Sequence, residues 1–95
     1  MALYIHLVRL TDQGVKNIGN YAKVLEDTRK IIESNGAKVV HSWSTLGRYD
    51  IVAVLEAPDD ATAMKVSAQI ARAGNFRPET LPAVRMREFE KSVSK

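Results

Sequence analysis

Leu46-Gly47-Arg48-Tyr49-Asp50 separates two apolar runs, Val39 to Leu46 and Tyr49 to Ala57, and the reading of this stretch decides the fold. Gly47 occupies the first central position of a two-residue loop, where positive φ is required, so the spacing predicts a type II′ hairpin. That turn sets a register: Leu46 opposite Tyr49, Thr45 opposite Asp50, Trp43 opposite Val52, His41 opposite Val54 and Val39 opposite Glu56. Alternation along a strand then puts Val39, His41, Trp43, Thr45, Asp50, Val52 and Val54 on one face. The other face receives Val40, Ser42, Ser44, Leu46, Tyr49, Ile51, Ala53 and Leu55. Neither face is polar enough to be left in water.

Working outward, Leu3 to Leu10 is rich in β-branched and aromatic residues and reads as a first strand, ended by the turn cluster Thr11-Asp12-Gln13-Gly14. Val15 to Asn20 is irregular apart from one helical turn. Tyr21, Val24, Leu25, Thr28, Ile31 and Ile32 recur at spacings of three and four, which predicts a helix to about Ser34 stopped by Asn35-Gly36. Strands are expected over Ala37–Leu46 and Tyr49–Ala57. Pro58-Asp59-Asp60 then supplies an Asp N-cap for a second helix that ends at Gly74-Asn75. Its many small residues (Ala61, Ala63, Ser67, Ala68, Ala71, Ala73) would let its backbone lie close to a sheet, with Met64 as core filler. A fourth strand runs from Phe76 to about Val84, and Pro78 and Pro82 place it at a sheet edge. The last ten residues fit either a strand continuation or a short amphipathic helix carrying Met86, Phe89 and Val93.

The order β-α-β-β-α-β predicts an α+β, ferredoxin-like fold with a four-stranded antiparallel sheet, one domain over residues 1–95. Hydrophobic residues at 45% and charged residues at 26% are ordinary globular values. With no cysteine there is no disulfide, thiolate nucleophile or zinc–sulfur site. The amino terminus has neither a basic segment nor a long apolar one, so neither a signal peptide nor a membrane span is expected, and the cytoplasm is the default location. A net charge of +3 is spread over helices and tail with acidic residues interleaved, which argues against a nucleic-acid face.

Two helices cover one face of a four-stranded sheet. The other, apolar as well, would exceed the patch that monomers usually expose. A homodimer paired sheet to sheet, or a larger ring, is therefore expected.

Thr11-Asp12-Gln13-Gly14, then Thr45-Leu46-Gly47-Arg48-Tyr49-Asp50, then Val54-Leu55-Glu56-Ala57-Pro58-Asp59-Asp60, together with Asn75, Arg77, Glu79, Thr80 and Leu81, resemble the GYD family, named for the Gly-x-Tyr-Asp motif seen here as Gly47, Tyr49 and Asp50. The resemblance spans nearly the whole chain. It implies membership of the dimeric α+β barrel group, which includes cofactor-independent monooxygenases, isomerases, haem proteins and effector-binding domains of regulators. It carries no settled activity.

Asp50 opens a mostly apolar strand. It is either a general base or ligand anchor, or a carboxylate that fixes the hairpin through turn amides, Thr45 or Arg48. His41 and Trp43 share its face in the expected register, so a His41–Asp50 pair beside an aromatic wall would suit proton transfer to a small aromatic molecule. The bland alternative is packing for Trp43 and a satisfied His41. His6 joins them only if its strand parity agrees, which the residues leave open. Tyr4 and Tyr49 line either a pocket or a dimer interface, and Arg48 with Arg77 would meet an anionic ligand, unless Arg77 pairs with Glu79. No metal site and no cofactor is assigned. Three functions follow: a homo-oligomeric small-molecule-binding or assembly module; a cofactor-independent monooxygenase or isomerase working on an aromatic or polyketide-like substrate near Asp50; or a subunit that regulates a partner through its sheet edge or tail.

Overall fold

The structure is a computed structural model that describes residues 1–94. Its elements are β1 (Ala2–Leu10), α1 (Asp12–Lys16), a 3-10 turn (Ile18–Asn20), α2 (Tyr21–Ser34), β2 (Lys38–Ser44), β3 (Ile51–Ala57), α3 (Asp60–Ala73), β4 (Phe76–Ala83) and α4 (Met86–Val93). The strands form one antiparallel sheet in the order β2-β3-β1-β4, the ferredoxin-like arrangement. β4 is at an edge, where Pro78 and Pro82 cost no ladder bond on the outward side. Thr11 caps α1, its hydroxyl accepting from the Gly14 amide, and Asp59 caps α3 by accepting from the Thr62 amide at 2.8 Å. Gly74 closes α3 at φ 98°, in the left-handed region that glycine enters without steric cost.

Register assigns the two faces. Rows across β2-β3-β1-β4 run Val39–Leu55–Tyr4–Pro82, Ser42–Ala53–His6–Thr80 and Ser44–Ile51–Val8–Pro78 on the side covered by α2 and α3. Tyr4, Val8, Ala53, Leu55 and Phe76 meet Ile32 of α2 and Ala63, Val66 and Ile70 of α3 there to form the core. The opposite rows run His41–Val54–Ile5–Leu81 and Trp43–Val52–Leu7–Glu79. None of the described helices packs over them.

Trp43 opposite Val52 and His41 opposite Val54 are as the hairpin reading expects, and Gly47 has φ 99°. Three details differ. The strands stop at Ser44 and resume at Ile51, so the connection is wider than two residues: Thr45 donates its amide to the Asp50 carbonyl at 3.0 Å and its hydroxyl to the Tyr49 carbonyl at 2.6 Å. Leu46 is consequently fully exposed at the tip rather than on a sheet face. A bulge between Val39 and His41 inserts one residue, which pairs Val39 with Leu55 instead of Glu56 and turns it to the helices.

Further along, Met64 is exposed rather than core. The inward stripe of α3 is Ala63, Val66 and Ile70, and the next position along a helix points about 100° away. Of the small residues in α3, Ala61, Ala68 and Ala73 face outward as well. Thr11 to Gly14 is the cap and first turn of α1, not a bare turn. The tail is the amphipathic helix α4, with every residue exposed, including Met86, Phe89 and Val93.

Candidate functional site

The sheet face beneath α2 and α3 contains one polar row in an otherwise apolar surface. His6 is 3% exposed and its Nε2 lies 3.2 Å from Thr80 Oγ1 and 3.5 Å from Ser67 Oγ, while those two hydroxyls bond each other. Burial pushes the His6 imidazole down to a pKa of about 4, so the ring is neutral at pH 7. Between His6 and Ser42 the β3 position is Ala53, whose small side chain leaves space above it. A cavity of about 120 Å³ results, lined by His6, Ala53, Leu55, Ile32, Ile70 and Phe76 inside and by Leu25, Arg29 and Ser42 nearer the surface. Because Leu25, Arg29 and Ser42 are the exposed members, the cavity opens between α2 and the edge strand β2 and runs inward to His6.

The residues singled out from sequence are distributed over different places. His41 and Trp43 stack on each other at 5.7 Å between ring centroids, on the uncovered face and exposed. Asp50 Oδ2 accepts from the Leu10 amide at 2.8 Å, and its own amide donates to the Val8 carbonyl at 2.8 Å. Asp50 thus ties the hairpin to β1, rather than bonding the Gly47 or Arg48 amides. His41 pairs four residues further along β3, roughly 13 Å away at about 3.3 Å per residue. His6 faces the helices and does not join them. Tyr4 is buried on the His6 side and donates its hydroxyl to Asp60 Oδ1 at 2.7 Å. That bond, then burial and the charges of Asp60 and Asp59, raise the phenol to a pKa of about 12.

Arg48 lies over the Tyr49 ring at 6.0 Å, and the Tyr49 hydroxyl donates to Glu79 at 3.3 Å, so Glu79 meets Tyr49 rather than Arg77. Burial, and secondarily the Asp50 charge, raise the Tyr21 hydroxyl above its usual value. Thr80, Ser67, Ser42 and Arg29 were not singled out. The available signal was polar residues on apolar stripes: Ser67 between Val66 and Ile70, Thr80 between Pro78 and Pro82. Among the described residues no group of three or more His, Asp or Glu could hold a metal ion, and no helix is long and apolar enough to cross a membrane.

The Thr11–Gly14 segment is also structural. Thr11 donates its amide to the Asn75 carbonyl at 3.0 Å and its hydroxyl to the Gly74 carbonyl, while Asn17 Nδ2 reaches Asn75 Oδ1 at 3.0 Å. A Cβ at Gly14 would stand 2.2 Å from the Asn75 oxygen, so only glycine permits this approach.

A four-stranded antiparallel sheet in the order β2-β3-β1-β4, with two helices on one side, defines a ferredoxin-like α+β domain. The chain belongs to the GYD domain family, whose model matches residues 4–93. It is 33% identical over 85 residues to the glutamine synthetase and cystathionine beta-lyase binding protein of Thermus thermophilus, covering 88% of this chain and 90% of that one. A solved Thermus thermophilus structure superposes with a TM-score of 0.58 at 24% identity, over 90% of this chain and 95% of that chain. A REP-associated tyrosine transposase bound to a REP hairpin shares the fold at 10% identity and a TM-score of 0.55, over 97% of this chain and 62% of that one.

Proposed function

We propose that this protein is a homo-oligomeric assembly module that pairs through its uncovered sheet face and acts by binding partner proteins. The observation that carries the reading is the run of Leu3, Ile5, Leu7, Val52, Val54, Leu81 and Trp43 on a face with no cover, Trp43 being 53% and Leu81 42% exposed. Four strands about 4.8 Å apart, three pleats long, make a face on the order of 400 Å². That is at the upper end of what monomers expose, and short of the roughly 800 Å² per partner of a standard interface. The α4 stripe of Met86, Phe89 and Val93 would supply the remainder against the second copy. Partner binding rests on the Thermus relative, whose name says that it binds glutamine synthetase and cystathionine beta-lyase.

Sedimentation equilibrium at micromolar concentration tests the pairing. A mass of two chains or a higher multiple is expected, falling to one chain in Val54→Glu, and a single-chain mass for the unaltered protein refutes it. Co-sedimentation with purified glutamine synthetase of the same host then tests the partner class. The enzymatic reading, an oxygenase or isomerase with Asp50 as base, would need that carboxylate free of the Leu10 amide and beside His41, and no observation favours it.

A further inference from the structure

The cavity under α2 has three properties that together describe a ligand, and none depends on pairing, since the cavity lies within one chain on the opposite side of the sheet. Its volume of about 120 Å³ is close to that of a dry protein cavity of roughly 150 Å³ that takes up benzene, so a six-membered ring fits. Its walls are apolar: Val8, Ile32, Val39, Leu55, Ile70 and Phe76.

Its two ends are polar, and in different ways. At the inner end the Ser67 and Thr80 hydroxyls bond each other and lie within hydrogen-bond distance of His6 Nε2. Nδ1 is the ring's other polar atom, a donor where Nε2 accepts from a hydroxyl and an acceptor where Nε2 donates to one. No described residue partners Nδ1, and no side-chain polar atom sealed in the interior lacks a partner, so Nδ1 borders open space as a lone polar atom. At the outer end, Arg29 has no carboxylate partner among the described residues. The recess outside it adds Lys38, which pairs with Glu56 at 3.7 Å, and Glu33, which pairs with no cation there.

We propose that this cavity binds a small apolar carboxylate that carries one further oxygen at its far end. The ring or branched chain fills the apolar middle, the far oxygen, a hydroxyl able to donate or accept, bonds His6 Nδ1, and the carboxylate emerges between α2 and β2 onto Arg29. An oxygen-free hydrocarbon would leave Nδ1 unpaired, and a neutral alcohol would leave Arg29 without its anion.

Methyl and amide NMR titration of the full chain tests this with 4-hydroxybenzoate, benzoate and 4-hydroxybenzyl alcohol. The expected result is saturable shifts at Ile32, Val39, Leu55 and Ile70, with 4-hydroxybenzoate about tenfold tighter than either analogue, benzoate lacking the far hydroxyl and the alcohol lacking the anionic charge. Arg29→Ala, an exposed change on a helix surface, should erase the advantage over the alcohol and keep the advantage over benzoate. Equal affinity for all three, shifts confined to Trp43 and Leu81 on the other face, no saturable shift, or indifference to Arg29→Ala overturns the proposal. Repeating the titration in Val54→Glu separates it from the pairing, because that residue lies on the far side of the sheet.

Discussion

The two faces of this sheet are built from nearly the same residues and differ in what crosses them. Tyr4, Val8, Ala53 and Leu55 on one side and Leu3, Ile5, Leu7, Val52 and Val54 on the other are all apolar or aromatic, yet the first set is buried and the second is only half-buried. The covered side holds a polar row of its own, Ser42, His6 and Thr80, while the uncovered side carries the charged Lys38–Glu56 pair at one end. Apolar content in a strand therefore does not say which side meets the chain's own helices. A buried histidine is tolerated there because its Nε2 has a hydroxyl partner in Thr80 and the ring is neutral.

The sharpest way to break the comparison is a matched pair of truncations at neighbouring positions. Leu55→Ala removes a side chain that is 3% exposed in the core, and about 3 kcal/mol of stability should go with it. Val54→Ala, one residue away on the other face, should cost less than about 1 kcal/mol in the isolated chain. Urea denaturation of each at dilution reads both; equal losses would mean that the two faces are equally enclosed within one chain.

Next in size is an acid limb owed to His6. Its pKa falls from 6.5 to about 4 on folding, so the unfolded chain binds the extra proton between those values. The contribution is present in full above pH 6.5 and is lost as pH falls through about 4, amounting to about 3 kcal/mol. Denaturation midpoints at pH 7, 5.5 and 4.5 should show it, and His6→Gln, if folded, should flatten it. A limb that His6→Gln leaves unchanged would assign it to another group.

Asp50 gives a smaller effect and separates architecture from chemistry. Asp50→Ala leaves the Leu10 amide without its acceptor and should cost about 1–2 kcal/mol, whereas Asp50→Asn keeps an oxygen there and should recover most of it. Thermal denaturation of the two variants decides: equal losses would mean that the carboxylate charge, not the hydrogen bond, matters.

Much of this arrangement can be read in the residues, for definable reasons. Gly47 marks its own turn, so the pairing of Trp43 with Val52 and His41 with Val54 follows by counting. Asn35-Gly36, Asp59 and Gly74 mark helix ends through local backbone chemistry, which needs no tertiary information. The bulge at Val40 carries no such mark: valine suits a regular strand, and the insertion appears only when β2 meets β3. The parity of His6 is equally hidden, because Leu3 to Val8 is apolar at odd and even positions alike. The cavity depends on Ala53 standing between Ser42 and His6, three residues from three strands, and no local pattern encodes that meeting. The Gly-x-Tyr-Asp and Thr11–Gly14 segments were legible as motifs but not as joints. Both turn out to fasten the end of β1, one through the Leu10 amide and one through Asn75.

The smallest effect on folding is expected at Trp43, and it bears most directly on what the uncovered face is for. Its ring stacks on His41 and has Val52 as its cross-strand neighbour, with solvent over the rest. Loss of those contacts in Trp43→Ala should change the stability of a single chain by no more than about 0.5–1 kcal/mol. In the paired state the same ring would be an interfacial aromatic, the residue type most often found to dominate association. Trp43→Ala should therefore barely move the denaturation midpoint in dilute solution while weakening self-association by at least about tenfold, as read by sedimentation over a concentration series. If single-chain stability instead fell by as much as for Leu55→Ala, Trp43 would be packing against its own chain. The uncovered face would then be part of the core, and the need for a second copy would disappear.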